Sequence, residues 1–503
     1  MTDARVNQDT LNAAVRAAGD AFRGAVDPSL CKDHLLAMFF LKCISDAWVD
    51  HYQQYEKEHG AHPELIEEML KNERFVLPHG ASFHSLYALR HEPGNGERID
   101  KALQAIEECN LAKLRGVFQD IGFNSSKLGE EAHKNDILRR LLEDFNKPEL
   151  NLRPSRIGTL DVIGNACDFL IENFTSGSGK KSGEFHTPPE ISTLMALLVD
   201  PRPGDDIGDP TCGSGSLLMK CGQLIRSRTG SRKYALYGQE AMGSTWALAK
   251  MNLFLHGEDN HRVEWGDTLR NPKLIDIDGL LKRFDVVVAN PPFSLDTWDR
   301  EAAEADRFKR YRRGLPPRTK ADYAFILHMV ETMKTGTGRM AVVVPHGVLF
   351  RGAAEGKIRR QLINENLLDA VIGLPEKLFH GTGIPAAILV FRKNKVDDKV
   401  LFVDASREYL DGKNQNVLRA QDLDKVMATC AARRSVRRYA HLAGPSEIAE
   451  NDYNLHIARY VDGFEEKEEI DLPALRAQRV KLNAELATLE EKMAQYLKEL
   501  GYE

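Results

Sequence analysis

The stretch Phe284-Asp285-Val286-Val287-Val288-Ala289-Asn290-Pro291-Pro292-Phe293 decides the fold class of this 503-residue chain. Its first six residues are almost all apolar, and a short apolar run is typical of a strand buried on both faces. The strand ends at Asn290, because two consecutive prolines cannot continue a sheet ladder. The simplest interpretation is a strand-terminating loop of an α/β protein.

The corner at 290–293 also has the groups needed to methylate a planar amino group. The exocyclic nitrogen of adenine is a poor nucleophile because its lone pair is delocalised into the ring. The Asn290 side-chain oxygen and the Pro291 carbonyl can accept hydrogen bonds from the two N–H groups of this nitrogen and draw it towards tetrahedral geometry. Pro291 and Pro292 fix the backbone, and Phe293 can stack on the base. We therefore predict that Asn290, Pro291, Pro292 and Phe293 are catalytic residues for methylation of a planar amino group.

Strand and helix patterns alternate between about 184 and 405. Helical patterns at 241–255 and 322–334 separate apolar runs that we predict to be strands, at 233–238, 284–289, 339–344, 369–374, 386–391 and 400–404. This order predicts a mostly parallel sheet covered on both faces, with ligands at the carboxyl ends of its strands. We therefore expect an α/β domain at 151–405.

The first 150 residues have helical spacing instead, notably in the apolar stretch 33–44. We predict a mostly helical N-terminal domain at 1–150. A purely structural cap and a surface that faces DNA or a partner both remain open for it.

Composition narrows the class of protein further. The net charge is −6, whereas a protein that grips DNA alone usually has a basic excess, so a basic surface is either local or supplied by a partner. The seven cysteines are scattered without zinc spacing, which favours reduced thiols in a reducing cytosol. No apolar run approaches the length of a membrane span, and we expect a cytoplasmic protein without a metal site.

A Gly/Ser/Lys-rich segment at 174–183 is similar to a phosphate-binding loop. Phe174 stands where the Walker pattern needs glycine, and Lys180 is followed by Lys181 rather than Ser or Thr. We predict a flexible loop.

Four segments outside the corner predict a second ligand. Asp209 precedes a glycine-rich turn that leads into a helix start, whose free N–H groups can face a ligand. Glu240 ends a strand, where a carboxylate can accept both ribose hydroxyls of an adenosine. Asp267 can accept from an adenine amino group, and 184–188 can cover an amino-acid tail. No Lys or Arg cluster neutralises a triphosphate at the turn, so the ligand that fits is S-adenosylmethionine.

Each of these residues also has a simpler interpretation. Glu240 can be a helix N-terminal charge, Asp267 a turn residue and His186 a packed loop histidine. The order of the segments along the chain favours the cofactor site. The predicted cofactor-binding residues are Glu184, Phe185, His186, Thr187, Pro188, Asp209, Gly213, Ser214, Gly215, Ser216, Glu240 and Asp267.

The motifs together resemble a known family. Their order is GEFHTP at 183–188, DPTCGSGS at 209–216, GQE at 238–240, GDTL at 266–269 and NPPF at 290–293. This order resembles amino-group DNA methyltransferases whose cofactor motifs precede the catalytic one. More narrowly, the chain resembles the modification subunits of type I restriction-modification systems over most of its length. It departs from the family at His186, where an aromatic is usual, and in the polar strand at 205–208.

The resemblance implies a Rossmann-like, S-adenosylmethionine-dependent methyltransferase that flips an adenine out of double-stranded DNA and methylates its N6. It also implies a specificity subunit that reads the sequence, commonly with two modification subunits per specificity subunit, and a restriction subunit that can join them. Three alternatives stay open: a stand-alone adenine methyltransferase, a methyltransferase acting on a protein glutamine or an RNA base, and an inactive cofactor-binding scaffold.

The last hundred residues contain an extension at 406–470 and a predicted helix at 471–503. Two series of apolar residues recur every seven positions in that helix, offset by four: Leu475, Leu482, Leu489, Tyr496 and Leu486, Met493, Leu500. Such an a/d seam predicts a coiled-coil helix. Packing onto its own domain is one interpretation. We favour docking against a partner helix, because the sequence shows no DNA-reading module of its own.

A basic segment follows the catalytic corner. Residues 307–320 contain seven Lys or Arg residues and two aromatics. Contact with DNA phosphates near the flipped base and a solvated loop are both open interpretations.

Overall fold

This computed structural model describes residues 7–23, 26, 28–158, 160–175, 187–379, 383–412, 415–462 and 472–502. The chain divides into two compact units, Met1–Val461 and Asp462–Glu503. The helices are α1 (Gln8–Arg23), α2 (Pro28–His59), α3 (Pro63–Lys71), α4 (Phe83–Ala88), α5 (Asn95–Cys109), α6 (Leu111–Leu114), α7 (Glu131–Phe145), α8 (Pro154–Ile157), α9 (Leu160–Thr175), α10 (Pro189–Val199), α11 (Ser216–Thr229), α12 (Gly243–Leu255), α13 (Arg300–Glu304), α14 (Asp322–Thr332), α15 (Gly347–Phe350), α16 (Ala353–Asn364), α17 (Ala420–Ala432), α18 (Pro445–Glu450) and α19 (Leu472–Glu499). The strands are β1 (Asp206–Asp209), β2 (Ala235–Glu240), β3 (His261–Trp265), β4 (Val286–Ala289), β5 (Arg339–Pro345), β6 (Leu368–Gly373), β7 (Ala386–Arg392), β8 (Val400–Asp404) and β9 (Ala440–Ala443).

The strands form one mixed sheet in the order β3-β2-β1-β4-β5-β7-β6-β8-β9. Strands β1 to β5 pair with one another in parallel, and so do β6 and β8. Strand β7 is antiparallel to both β5 and β6, and β9 is antiparallel to β8. The chain builds outwards from β1 to β3 and then returns to place β4 on the other side of β1. The β1/β4 boundary is therefore a topological switch point, where open α/β sheets bind ligands. The predicted α/β fold with a mostly parallel sheet is confirmed.

Both faces of the sheet are buried, which explains the continuous apolar run of β4. Val286 and Val288 belong to one hydrophobic cluster, whereas Val287 and Ala289 belong to a second cluster on the opposite face. Successive side chains of a strand point to opposite faces, so every position of this strand needs an apolar residue.

Helices α1 to α10 precede the sheet, and no strand occurs among the described residues before 206. The predicted helical character of the N-terminal region is therefore confirmed. Phe39 and Phe40 of α2 lie in the same hydrophobic cluster as Val286 and Val288, so the N-terminal helices and one face of the sheet share a core. The domain boundaries at 150, 405 and 470 stay predictions.

The six apolar runs predicted to be strands and the polar strand at 205–208 all lie in the sheet, but β3 and β9 were not predicted. The burial of β3 is uneven, with Val263 its one buried side chain, so its sequence lacks an apolar run. The polarity before Asp209 has a structural reason. Asp205 pairs with Arg339 at 2.5 Å, and Asp206 pairs with Lys282 at 3.0 Å.

Several other expectations can be compared with the described residues. All seven cysteines lie within them, and none forms a disulfide. No described helix is long and apolar enough to cross a bilayer. The described side chains contain no group of three or more His, Cys, Asp or Glu that could hold a metal ion. The loop predicted at 174–183 lies outside the described residues from 176 onwards.

The second unit contains one long helix, α19 (Leu472–Glu499). The apolar residues of its heptad series are exposed to between 53% and 71% of their surface: Leu475, Leu482, Leu486, Leu489, Met493, Tyr496 and Leu500. The predicted helix is confirmed, whereas its coiled-coil pairing stays a prediction.

Candidate active site

Four of the predicted site residues come from the carboxyl ends of four adjacent parallel strands. Asp209 ends β1, Glu240 ends β2, Asp267 follows β3 by two residues, and Asn290 directly follows β4. The registers of the strand pairs align these ends along one edge of the sheet, at the switch point. Sheet topology therefore brings together residues that are up to 81 positions apart in the sequence.

The glycine-rich turn connects β1 to α11. Gly213 and Gly215 have φ values of +54° and +82°, in the left-handed region that favours glycine, and Gly215 is the N-cap residue of α11. The turn lies directly on β2, because a Cβ at Gly238 would come within 2.8 Å of Cys212 Sγ. The backbone can therefore approach a ligand closely, with the N-terminus of α11 facing it.

The Glu240 carboxylate connects β2 to this turn. Its two oxygens accept hydrogen bonds from the backbone N–H groups of Gly213 (3.1 Å) and Met242 (2.9 Å). The side chain is buried, and burial raises its pKa above the ordinary value. A carboxylate has about four acceptor positions, so each oxygen keeps capacity for one further donor. Two neighbouring hydroxyl groups, such as those of a ribose, fit that capacity.

Asp209 is the most strongly perturbed acid of the site. Its Oδ1 accepts a hydrogen bond from the Thr211 N–H at 2.9 Å, whereas its buried Oδ2 has no partner. Burial raises the pKa of Asp209 to about 8, and the nearby Glu240 charge adds to the rise. An unpartnered buried polar atom costs roughly 1–3 kcal/mol, which a ligand that binds it recovers. The pair of buried carboxyls therefore favours a ligand with hydrogen-bond donors and positive charge, and S-adenosylmethionine has both.

Asp267 acts as a turn residue, which was the simpler of its two interpretations. Its Oδ1 accepts from the backbone N–H groups of Leu269 (2.8 Å) and Arg270 (3.2 Å), as in a turn. Gln239 holds the same loop, because its amide donates to the Gly266 carbonyl at 2.9 Å. The Asp267 side chain is 45% exposed, so a cofactor role for it stays a proposal.

The predicted catalytic corner, residues 290–293, has an unsatisfied acceptor at the edge of the sheet. The Asn290 amide donates from Nδ2 to Thr187 Oγ1 at 3.2 Å, and its buried Oδ1 has no partner. Pro291 is buried and Pro292 is half-buried. The half-buried Phe293 ring makes an edge-to-face contact with Phe379, with centroids 5.7 Å apart. An N–H donor that reaches the Asn290 Oδ1 would satisfy it.

The structure describes some of the remaining predicted cofactor residues and not others. Thr187 contacts Asn290, a link that the sequence did not predict, and Pro188 precedes α10. The backbone carbonyl of the buried Ser214 accepts from Asn252 Nδ2 at 3.0 Å. Ser216 is the first residue of α11. The residues Glu184, Phe185 and His186 lie outside the described residues.

The basic segment 307–320 divides into two groups. Arg310 and Arg313 are only 3% and 4% exposed. Arg310 pairs with Asp306 at 2.9 Å and donates to the carbonyls of Thr268 and Leu269, so it supports the loop after β3. Arg313 pairs with two glutamates. Contact with DNA phosphates is therefore the wrong interpretation for these two arginines, although the other basic residues of the segment remain at least partly exposed.

The strand order and the acidic strand ends define a Rossmann-like α/β methyltransferase. The N-6 DNA Methylase family matches residues 158–469, and the HsdM N-terminal domain family matches residues 11–145. The chain therefore belongs to the N-6 DNA methylase family, as a type I restriction-modification methylase subunit. It is an S-adenosylmethionine-dependent, adenine-specific DNA methyltransferase.

Similar proteins from other organisms support this assignment. The type I restriction enzyme MjaVIII methylase subunit of Methanocaldococcus jannaschii is 31% identical, over 99% of this chain and 86% of that protein. The MpnII methylase subunit of Mycoplasma pneumoniae is 28% identical, over 91% of this chain and 90% of that protein. The crystal structure of a type I restriction-modification methyltransferase subunit from Streptococcus thermophilus matches with a TM-score of 0.80 and 31% identity, covering 90% of this chain and all of the other.

Proposed function

We propose that this chain transfers a methyl group to N6 of an adenine flipped out of double-stranded DNA, in a type I complex with a specificity subunit. The observation that carries the proposal is the buried, unpartnered Asn290 Oδ1 at the switch point, on the same sheet edge as the buried carboxyls of Asp209 and Glu240. Bound S-adenosylmethionine supplies an electrophilic methyl group on a sulfonium.

The corner residues prepare the amine for attack. The Asn290 Oδ1 and the Pro291 carbonyl accept hydrogen bonds from the N–H groups of the amine. The Thr187 hydroxyl accepts from the Asn290 amide and fixes it so that the Asn290 oxygen faces the base. The two prolines keep the accepting carbonyl in place because their φ angles are fixed. Holding the reacting groups in this geometry provides much of the rate.

The base must leave the duplex to reach the corner. Unstacking costs a few kcal/mol, and stacking on an aromatic side chain returns about 1–3 kcal/mol. Phe293 is the aromatic residue that the chain places beside Asn290, and Phe379 supports its ring. We assign base stacking to Phe293.

The pocket beside the corner holds the cofactor in this proposal. Glu240 accepts the ribose hydroxyls, the turn at 213–216 supplies backbone N–H groups, and Asp209 lies beneath the turn. Asp267 accepts from the adenine amino group of the cofactor. Residues 184–188 cover its methionyl end.

Replacing Asn290 by alanine tests the catalytic assignment. We expect methyl transfer by the complex to fall on the order of 100-fold or more, while cofactor binding stays within about twofold, because the lost acceptor acts in the transition state. Transfer of tritiated methyl to DNA and calorimetric cofactor titration measure the two quantities. The exposed Asn364→Ala serves as the control.

Unchanged methyl transfer in Asn290→Ala would remove Asn290 from the mechanism. An inactive wild-type complex would instead support the scaffold alternative, and site-specific methylation by the purified chain alone would support a stand-alone enzyme. Methylation confined to protein or RNA would support the remaining alternative.

We further propose that α19 docks on the specificity subunit, with two modification subunits per specificity subunit and a restriction subunit that can join. The exposed apolar seam supports the docking of α19, because a helix with an a/d seam buries it against another helix. The stoichiometry and the restriction subunit follow from the family resemblance alone. A solved structure that explains complex assembly of a type I restriction-modification system has the same fold, at a TM-score of 0.60 and 18% identity. The cytoplasmic location stays a prediction.

A pair of double variants tests the docking helix. Leu482→Lys with Leu489→Lys places two charges in the seam, and we expect loss of co-purification with the specificity subunit. Ala484→Lys with Glu491→Lys has the same seven-residue spacing on the opposite face of α19, and we expect normal assembly. Equal effects of the two variants would contradict docking through the seam.

A further inference from the structure

We propose that Asp322 and Arg351 are positioning residues for methyl transfer, which together hold the backbone that directly follows the catalytic corner. The proposal rests on the proposed role of Asn290 and adds two residues outside its motif. Neither residue belongs to a motif that the sequence reveals.

Asp322 binds the backbone one residue beyond Phe293. Its Oδ1 accepts a hydrogen bond from the Ser294 N–H at 2.8 Å. Ser294 has a φ of +53°, a left-handed conformation that a non-glycine residue adopts only when its surroundings hold it. A second hydrogen bond, from the Ala321 N–H to the Leu295 carbonyl at 3.1 Å, ties the same two segments together. The start of α14 therefore holds the chain where it leaves the corner.

Arg351 holds Asp322 in turn. Its Nη2 lies 2.6 Å from the second oxygen of Asp322, and its Nε lies 2.9 Å from Glu355 Oε2. The side chains of Asp322 and Glu355 are almost fully buried, so the guanidinium between them is weakly screened. Gly347 leaves room for it, because a Cβ at that position would come within 2.9 Å of the Arg351 Nε. Arg351 follows β5, which pairs with β4. The ion pair therefore connects the segment after β5 with the segment after β4 that contains Ser294.

This arrangement matters for the corner because its own backbone has little freedom to adjust. The prolines fix two φ angles between Asn290 and Phe293. A displacement at Ser294 is therefore transmitted to Phe293 and the accepting carbonyl rather than absorbed. Misplacement of reacting groups by about 1 Å can lower a rate on the order of 100-fold. Loss of the clasp formed by Asp322 and Arg351 should thus lower kcat with little effect on cofactor binding.

Conservative variants separate this positioning role from folding. Asp322→Asn keeps an oxygen for the Ser294 N–H and removes the charge that faces Arg351, and Arg351→Lys keeps the charge. We expect kcat to fall on the order of 10- to 100-fold in Asp322→Asn, with KM for DNA and cofactor affinity within about twofold, and a smaller fall in Arg351→Lys.

Asp369→Asn is the matched control, because Asp369 also pairs with an arginine, Arg433, at 2.6 Å. We expect this control to lower the melting temperature without changing kcat. A normal kcat in Asp322→Asn, or a fall that Asp369→Asn reproduces at equal loss of stability, would overturn the positioning role. If the proposed function itself is wrong, the pattern differs, because the Asn290→Ala variant would then remain active. An inactive Asn290→Ala beside a fully active Asp322→Asn would refute the clasp alone.

Discussion

Replacing Asp209 by asparagine should make the stability of the ligand-free protein less dependent on pH. The carboxyl is fully buried, and only its Oδ1 has a partner, the Thr211 N–H. The amide of Asp209→Asn can keep that hydrogen bond through its own oxygen and stays neutral at every pH. The two proteins therefore differ mainly in one titrating group.

The sign and size of the effect follow from the pKa. Burial raises the pKa of Asp209 from 3.8 to about 8, so between these values the folded protein keeps a proton that the unfolded chain has lost. The free energy of unfolding contributed by this group is complete below pH 3.8 and falls by about 1.4 kcal/mol per pH unit as the pH rises towards 8. Between pH 5 and pH 8 the wild type should lose about 4 kcal/mol relative to Asp209→Asn.

Urea unfolding of both proteins at pH 5, 6, 7 and 8 measures this difference. All other titrating groups are shared, so their contributions cancel when the free energies of unfolding are subtracted. The expected result is a difference that moves steadily in favour of the variant as the pH rises. A difference that stays constant across this range would show that Asp209 is ionised in the folded protein at neutral pH, and the account of this pocket would be wrong.

Two further predictions concern the cofactor pocket. Glu240→Gln should weaken S-adenosylmethionine binding at least about tenfold in calorimetry, because charge-assisted hydrogen bonds to the ribose hydroxyls are lost; an unchanged affinity would exclude Glu240 from the pocket. Gly238→Ala should lower the free energy of unfolding by about 1–3 kcal/mol, since the added methyl group would lie 2.8 Å from Cys212 Sγ. Adding Cys212→Ala to that variant should restore part of the loss, and an equally unstable double variant would contradict the proposed clash.

The position of the candidate site could be predicted from the sequence because three of its motifs end strands. Asp209, Glu240 and Asn290 needed only the rule that parallel strands present their carboxyl ends at one edge. The partners of these residues could not be predicted. The Thr187–Asn290 contact joins positions 103 residues apart, and no local pattern marks it.

The buried arginines show the same limit. Arg310 and Arg313 looked like part of an exposed basic patch, because sequence reveals charge but not the acids that neutralise it. Arg313 is paired with Glu331 and with Glu365, which lies 52 positions further along the chain. Such distant ion pairs depend on the tertiary fold.

If α19 docks on the specificity subunit as proposed, its exposed apolar seam makes the amount of that subunit important for this enzyme. Two copies of the chain can shield each other's stripes, so self-pairing competes with assembly whenever the specificity subunit is scarce. A cell that produces the subunits in unequal amounts would then hold part of its methylase outside the proposed complex.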